Sequence, residues 1–283
     1  KGVYILGEQR NGQILPVTYE LIARGRSLAD DLNAKLTCVL LGETVENPEQ
    51  AITQGADRVV FIKDASLAHF LPRPYTNAIC KLVEEERPEI IIAAATTTGR
   101  TVMPWVAAKL HTGLTADCTS LTIDHDTKLL LQTRPAIGGN IMATIKTPDH
   151  RPQMATVRPR SCKPLAADAS RKGEVIEKKF EGATFVTPEK FLEFITDTTQ
   201  AVGVEDAEIV IAGGKGMKNL EGWKIIETLA ELLNAGVGAT RDAVELGWTT
   251  YSHQIGLSGK TVAPVLYIAM GISGKIAHLA GMQ

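Results

Sequence analysis

The chain has 283 residues, 44% hydrophobic and 22% charged, a composition that fits a globular protein of two domains whose core needs no disulfide staples. A formal net charge of −2 gives no overall field toward nucleic acid or membrane, and no apolar run approaches the ~18 residues of a transmembrane helix. The four cysteines, Cys38, Cys80, Cys118 and Cys162, form no CxxC pair, which argues against a zinc or iron–sulfur centre and predicts free thiols in a reducing cytoplasm and no metal.

In chain order, Val3 to Leu6 reads as a short apolar strand, close behind a first residue that is not Met, as expected of a trimmed chain. Val17 to Leu32 carries apolar residues at helical period. Leu36 to Leu41, Val59 to Ile62 and Ile90 to Ala94 read as buried strands, and Tyr75 to Glu86 as a helix stopped by Pro88. Continuous apolar strands alternating with helices predict a parallel sheet covered on both faces. After Thr115 the runs 119–124, 128–134 and 141–147 are short and Thr-rich, with Gly138-Gly139 as a turn. Residues 145–172 are locally basic, which is either a solvated face or a subunit or phosphate contact.

A second α/β unit follows a polar stretch. Pro188 to Thr198 reads as a helix, Glu208 to Ala212 as a strand, Leu220 to Leu233 as a helix, Val262 to Met270 as a strand and Lys275 to Leu279 as a helix. The predicted fold is α/β with two domains, each a mainly parallel sheet flanked by helices. The first spans 1–165, a linker spans 166–204, and the second spans 205–283.

Two strand–glycine–helix turns stand out, Gly213-Gly214-Lys215-Gly216 and Gly271-Ile272-Ser273-Gly274. Bare N–H groups at a helix start suit a phosphate or pyrophosphate, and Lys215 adds a cation there. GGKG is not the GxGxxG dinucleotide fingerprint, and a plain turn or a Ser273 N-cap would give the same residues. No spacing orients a Ser/His/Asp triad, and no HExxH or EF-hand pattern is present.

Together, GGKGMK, GVGATRDAVELGW, SHQIGLSGKTVAP and LYIAMGISGKIAHLAGM resemble, in order and spacing, the FAD-binding domain of electron-transfer flavoprotein α subunits. GEQRNGQILPVTYELI, the TTTGR turn and TGLTADCTSL resemble the same family's N-terminal domain, so the resemblance covers nearly the whole chain. It implies a C-terminal Rossmann-like domain holding FAD and an N-terminal domain contacting a β subunit in a heterodimer. Lys215 and Gly216 match the approach to the FAD phosphate and ribose, where the family usually has Arg for Lys215. Thr240 stands where Ser is usual beside the flavin, and Arg241 matches the Arg over the isoalloxazine. Gln254, Ile255, Gly256, Leu257 and Ser258 match the loop around the ring; the family's GQTG is GLSG here, which keeps a hydroxyl near flavin N5 and loses an amide at Leu257. Ser273, Gly274, Lys275, Ile276, Ala277 and His278 match a cofactor-contacting helix start, with His278 near flavin O2. The family continues past LAGM into a strand carrying Asn and Asp toward the adenosine end, so the second domain is expected to be truncated.

On this resemblance Arg241, Ser258 and His278 are the candidates to act on the flavin. An always-protonated guanidinium, and a protonated or hydrogen-bonding imidazole, would stabilise the charge gained with one electron. Acyl-CoA dehydrogenase-type flavoenzymes are the implied partners. The TGLTADCTSL stretch resembles anaerobe members, some of which bifurcate electrons from NADH to ferredoxin using a second FAD in the β subunit. Two other classes stay open: a non-redox regulatory or interaction module holding AMP or NAD, and an NAD-dependent enzyme on a similar fold.

Overall fold

Strands Val3–Leu6, Leu36–Gly42 and Ile90–Ala94 are buried at every position. Such strands require cover on both faces, and the computed structural model, which describes residues 2–136, 141–194, 203–205 and 207–282, provides it. The chain divides into two compact units, residues 1–192 and 193–283.

The first unit is built on a seven-stranded parallel sheet. Across it the strands run Glu174–Lys178, Arg58–Lys63, Leu36–Gly42, Val3–Leu6, Ile90–Ala94, Gln153–Val157 and Leu114–Cys118. Helix Pro16–Asp31 covers one face with Leu21, Ile22 and Leu28, joined by Leu121, Ile123 and Leu130 from an antiparallel three-stranded sheet, Ser120–Ile123, Leu130–Pro135 and Met142–Ile145. Helices Pro72–Glu86 and Thr97–Leu110 cover the other face, through Ile79, Leu82, Val102 and Val106. Among the described residues no helix is long and apolar enough to cross a membrane.

The expected strands and helices of this unit are present, with three differences. Of the segment expected as a linker, Glu174–Lys178 pairs with Arg58–Lys63 as an outer strand, and Phe185 is buried against the helices. An edge strand needs no continuous apolar run, and this one is fastened by charge: Lys178 Nζ lies 2.8 Å from Glu86 Oε1 and Lys63 Nζ lies 3.1 Å from Glu177 Oε2. Residues 188–194, expected to begin a helix, form none; Phe191 stacks on His69 with ring centroids 3.7 Å apart, a tertiary contact that overrides a weak periodic signal. The rest of that helix, 195–198, and the Gly138-Gly139 turn lie outside the described residues. Strands Leu114–Cys118 and Gln153–Val157 and helix Thr97–Leu110 have no counterpart among the expected elements. In the basic stretch 145–172 four cations are ion-paired: Lys146 with Asp124 at 2.5 Å, Arg158 with Asp117 at 2.6 Å, Arg171 with Asp57 at 3.1 Å, and Arg151 with Glu89. All four cysteines are free thiols; burial pushes Cys38 up to about 12 and Cys80 and Cys118 up to about 11, so these three are not thiolates at neutral pH.

In the second unit Ile209–Gly213 lies between Gly236–Ala239 and Leu266–Met270, all parallel. Helix Leu220–Leu233 begins at Asn219, whose Oδ1 accepts from Gly222 N at 2.9 Å, and ends at Asn234 in the left-handed conformation. Its Trp223, Ile226 and Ala230 pack on Ile211 and Ala239. Gly213 permits this, since a Cβ there would stand 2.2 Å from Ile226 Cδ1 and 2.4 Å from the Trp223 ring. The strand expected from Val262 is regular only over Leu266–Met270, after Pro264.

Glu86 is the charge centre of the first unit. Burial raises its carboxyl, but hydrogen bonds from Lys178, Tyr4 and Arg58 outweigh burial and hold it down to about 2, from an ordinary 4.5. A depressed carboxylate stabilises the fold above its unfolded value and loses that contribution as pH falls through the folded one. Glu86→Gln should therefore lower stability at pH 7 by roughly 2 kcal/mol. Its denaturation midpoint should also fall less than that of the unmodified chain between about pH 4.5 and 2. Equal acid sensitivity of the two chains, followed by circular dichroism, would contradict this.

Candidate functional site

The order of the second unit's sheet, with its first strand central and the next two on opposite sides, sends the connections away in opposite directions. Such a reversal leaves a crevice at the carboxyl ends of the strands, where open α/β sheets bind ligands. A cleft of about 750 Å³ lies at these ends, within the range of small-molecule sites. Its lining comes from the segments that follow each strand, Gly214 to Gly216, Thr240 to Asp242 and Gly271 to His278, and from the loop Gln254 to Ser258.

The two glycine turns meet backbone to backbone. Gly214 N donates to Met270 O and Gly216 N to Gly271 O, both at 2.9 Å. A Cβ on Gly214 would lie 2.4 Å from Gly271 O, and one on Gly216 would lie 2.7 Å from Gly271 Cα, so neither position accepts a side chain without moving main chain. Gly271 has φ +63, the left-handed region that glycine takes without strain. Lys215 is exposed between these contacts and lines the cleft.

Thr240 N donates to Gly213 O at 2.9 Å, which fixes the start of the short helix Arg241–Glu245 against the central strand. The Thr240 hydroxyl makes no cap bond, and its Oγ1 is buried without a partner. A buried polar atom left unpaired at a cleft wall is a place for a ligand group. Arg241 lines the cleft with its side chain 69% exposed, and its Nε donates to Glu245 Oε1 at 2.7 Å.

The loop 254–258 is held at both ends. Ile255 N donates to Ala239 O at 2.9 Å and Leu257 N to Ala277 O at 2.8 Å. Gln254 Nε2 donates to Ser258 Oγ at 3.0 Å, which leaves the hydroxyl proton of Ser258 to donate in turn. Leu257 itself is 72% exposed.

His278 is 5% exposed. Its Nδ1 lies 3.0 Å from Ile255 O and its Nε2 lies 2.8 Å from Tyr267 Oη. A carbonyl only accepts, so Nδ1 carries the hydrogen, and the bare Nε2 accepts from the Tyr267 hydroxyl. Burial pushes the imidazole below its ordinary value, only partly offset by the bond to Ile255. The ring is therefore neutral at pH 7, with both nitrogens engaged inside the protein. Of the two expectations for His278, protonated or hydrogen-bonding, the chain by itself shows the hydrogen-bonding form; positive charge at the cleft comes from Lys215, Arg241 and Lys275, against the single carboxylate of Asp242 among the lining residues.

Thus the structure brings Lys215, Gly216, Thr240, Arg241, Gln254, Ile255, Gly256, Leu257, Ser258, Ser273, Lys275, Ala277 and His278 to one cleft. Gly274 and Ile276 do not line it; Ile276 opens the helix Ile276–Leu279 with its side chain outward, 57% exposed. The N-cap of that helix is Lys275, so Ser273 is not a cap. Gly214, Asp242, Gly271 and Ile272 also line the cleft; Gly214, Gly271 and Ile272 belong to the two turns read as suited to a phosphate, but none of the four was a named contact. Each lies beside one that was, so the signal was the strand end itself, where every residue leaving the sheet faces the crevice. Among the described residues no group of three or more His, Cys, Asp or Glu is placed to hold a metal.

Comparison with known proteins agrees over the whole chain. The model of the electron transfer flavoprotein domain matches residues 3–182, and that of the electron transfer flavoprotein FAD-binding domain matches residues 203–283. The chain is 45% identical to protein FixB of Clostridium saccharobutylicum, covering 100% of this chain and 84% of that protein. It is 45% identical to the electron transfer flavoprotein subunit alpha of Megasphaera elsdenii, with coverage of 100% and 84%. It is 36% identical to the acryloyl-CoA reductase electron transfer subunit beta of Anaerotignum propionicum, with coverage of 100% and 85%.

Replacing Thr240 by Val removes the unpaired hydroxyl and keeps the shape. Because an unpartnered buried group costs roughly 1–3 kcal/mol, Thr240→Val should leave the melting temperature of the cofactor-free chain unchanged or higher. A clear drop would show that the hydroxyl has a partner within the fold.

Proposed function

Because the chain belongs to the electron-transfer flavoprotein α family, whose cofactor is FAD and whose work is electron transfer, we propose that it is the FAD-holding half of a heterodimer with a β subunit. In this reading the first unit meets the β subunit, and the cleft of the second unit exchanges electrons with an acyl-CoA dehydrogenase-type flavoenzyme. The name of the Anaerotignum propionicum relative, an acryloyl-CoA reductase electron transfer subunit, supports a partner that acts on acyl-CoA. A second reading adds NADH as donor and ferredoxin as acceptor through a bifurcating partner subunit, and is favoured by the resemblance of TGLTADCTSL to anaerobe members.

The observation that carries the proposal is the cleft itself: a glycine cradle that no Cβ can enter, an unpaired Thr240 hydroxyl and a cationic rim at the carboxyl ends of three parallel strands. These features fit FAD. The crossing of 214–216 with 271 lets backbone approach a pyrophosphate closely, and Lys215 supplies a point charge there. Thr240 and the proton of Ser258 offer hydrogen bonds to the ring system. Bound FAD supplies the redox chemistry, and the protein sets its potential and access. Arg241 keeps its charge at every working pH, so it favours whichever state of the site is more negative. His278, neutral and bonded inward, shapes the wall rather than adding charge.

Two outcomes follow. Arg241→Ala should retain FAD while lowering its first one-electron potential by tens of millivolts, since about 59 mV is a tenfold change in a one-electron equilibrium. Spectroelectrochemical titration reads this, and an unchanged potential removes Arg241 from the role. Thr240→Val should weaken FAD binding about three- to tenfold in an equilibrium titration, the loss of one hydrogen bond. Undiminished affinity would place the hydroxyl outside the cofactor site.

A further inference from the structure

Tyr267 lies in the edge strand Leu266–Met270, paired with Val210 of the central strand, and is not part of the cleft wall. Its hydroxyl donates to His278 Nε2 at 2.8 Å, and the two rings meet edge to face at 63°. On the other side of the imidazole, Nδ1 donates to Ile255 O at 3.0 Å. Ile255 opens the loop that lines the cleft, and the same loop rests on the turn carrying His278. Leu257 N donates to Ala277 O at 2.8 Å, and Gly256 has φ +140 with no room for a Cβ, which would stand 2.3 Å from Ala277 O. A continuous chain of hydrogen bonds therefore runs from the sheet edge through a buried ring to the loop.

We propose that Tyr267 is a positioning residue that acts through His278 to hold the loop Ile255–Ser258 against the bound flavin; this rests on the FAD reading above. The chemistry is specific in direction. Tyr267 must donate, because the Ile255 carbonyl requires the ring hydrogen on Nδ1. The opposite tautomer would set two lone pairs against each other at Ile255, and loss of the hydroxyl would leave Nε2 unpaired in a site that is 5% exposed. Either change loosens the link that sets where Ile255 O, and with it Leu257 N and Ser258, stand. Tyr267 thus tunes cofactor binding without touching the cofactor.

The test uses the full chain with and without FAD. In the cofactor-free chain, nitrogen-15 correlation spectra should show a protonated Nδ1 and a bare Nε2 on His278; a protonated Nε2 overturns the proposal. Tyr267→Phe keeps the ring in the strand. It should speed hydrogen exchange at the Leu257 amide, raise the Kd for FAD about three- to tenfold and shift the first one-electron potential. In a His278→Phe background the same substitution should add nothing. Wild-type FAD affinity and potential in Tyr267→Phe, or an effect that persists without His278, overturns the role. A wild-type chain that takes up no FAD would overturn the preceding reading instead, and the spectra and exchange of the cofactor-free chain would still decide this one.

Discussion

The second unit is organised by a contact in which main chain touches main chain. Gly214 and Gly216, leaving the central strand, lie against Gly271, leaving the edge strand, with Gly216 N bonded to Gly271 O. Both turns are drawn inward to the same point, so the segments that follow must diverge, and the cleft is the space between them. A side chain at either glycine would push the turns apart and alter the floor of the site. Close packing makes that geometry discrete rather than adjustable, and so fixes the floor on which the proposal seats a phosphate group.

From this floor the remaining parts are placed in order. Thr240 is tied to Gly213 and so stands one strand over, with Arg241 beside it at the helix start. The 254–258 loop bridges back to the 276–279 turn, closing the wall opposite. Charge follows position: cations on the segments after each strand converge because the strand ends converge. Function therefore depends on the topology of the sheet as much as on any single side chain.

Much of this was legible in the sequence. Buried parallel strands announce themselves as unbroken apolar runs, which is why Val3–Leu6, Leu36–Gly42 and Ile90–Ala94 were expected close to their observed limits. The motifs around Lys215, Arg241, Ser258 and His278 resembled a cofactor site, and the structure draws them to one cleft. What stayed hidden was set by long-range partners. Gln153–Val157 is buried but reads QMATV, because its neighbours in the sheet supply the apolar surface. Glu174–Lys178 is held at an edge by Lys178 and Glu86, a pairing across 92 positions that no local pattern reveals. The neutral state of His278 likewise comes from burial, which the surrounding fold sets and no local pattern reveals. Asp242 was missed, and Gly271 and Ile272 were seen only as parts of a turn, because membership of the cleft is a property of the strand end and not of the residue type.

The central claim is that the crevice at the carboxyl ends of the second unit's strands is where FAD sits. Hydrogen–deuterium exchange of the full chain, compared before and after addition of FAD, tests it most directly. The account predicts slower exchange at 214–216, 240–242, 254–258 and 271–278, with the first unit's strand ends unchanged. Protection confined to the first unit, or none anywhere while flavin is bound, would contradict it.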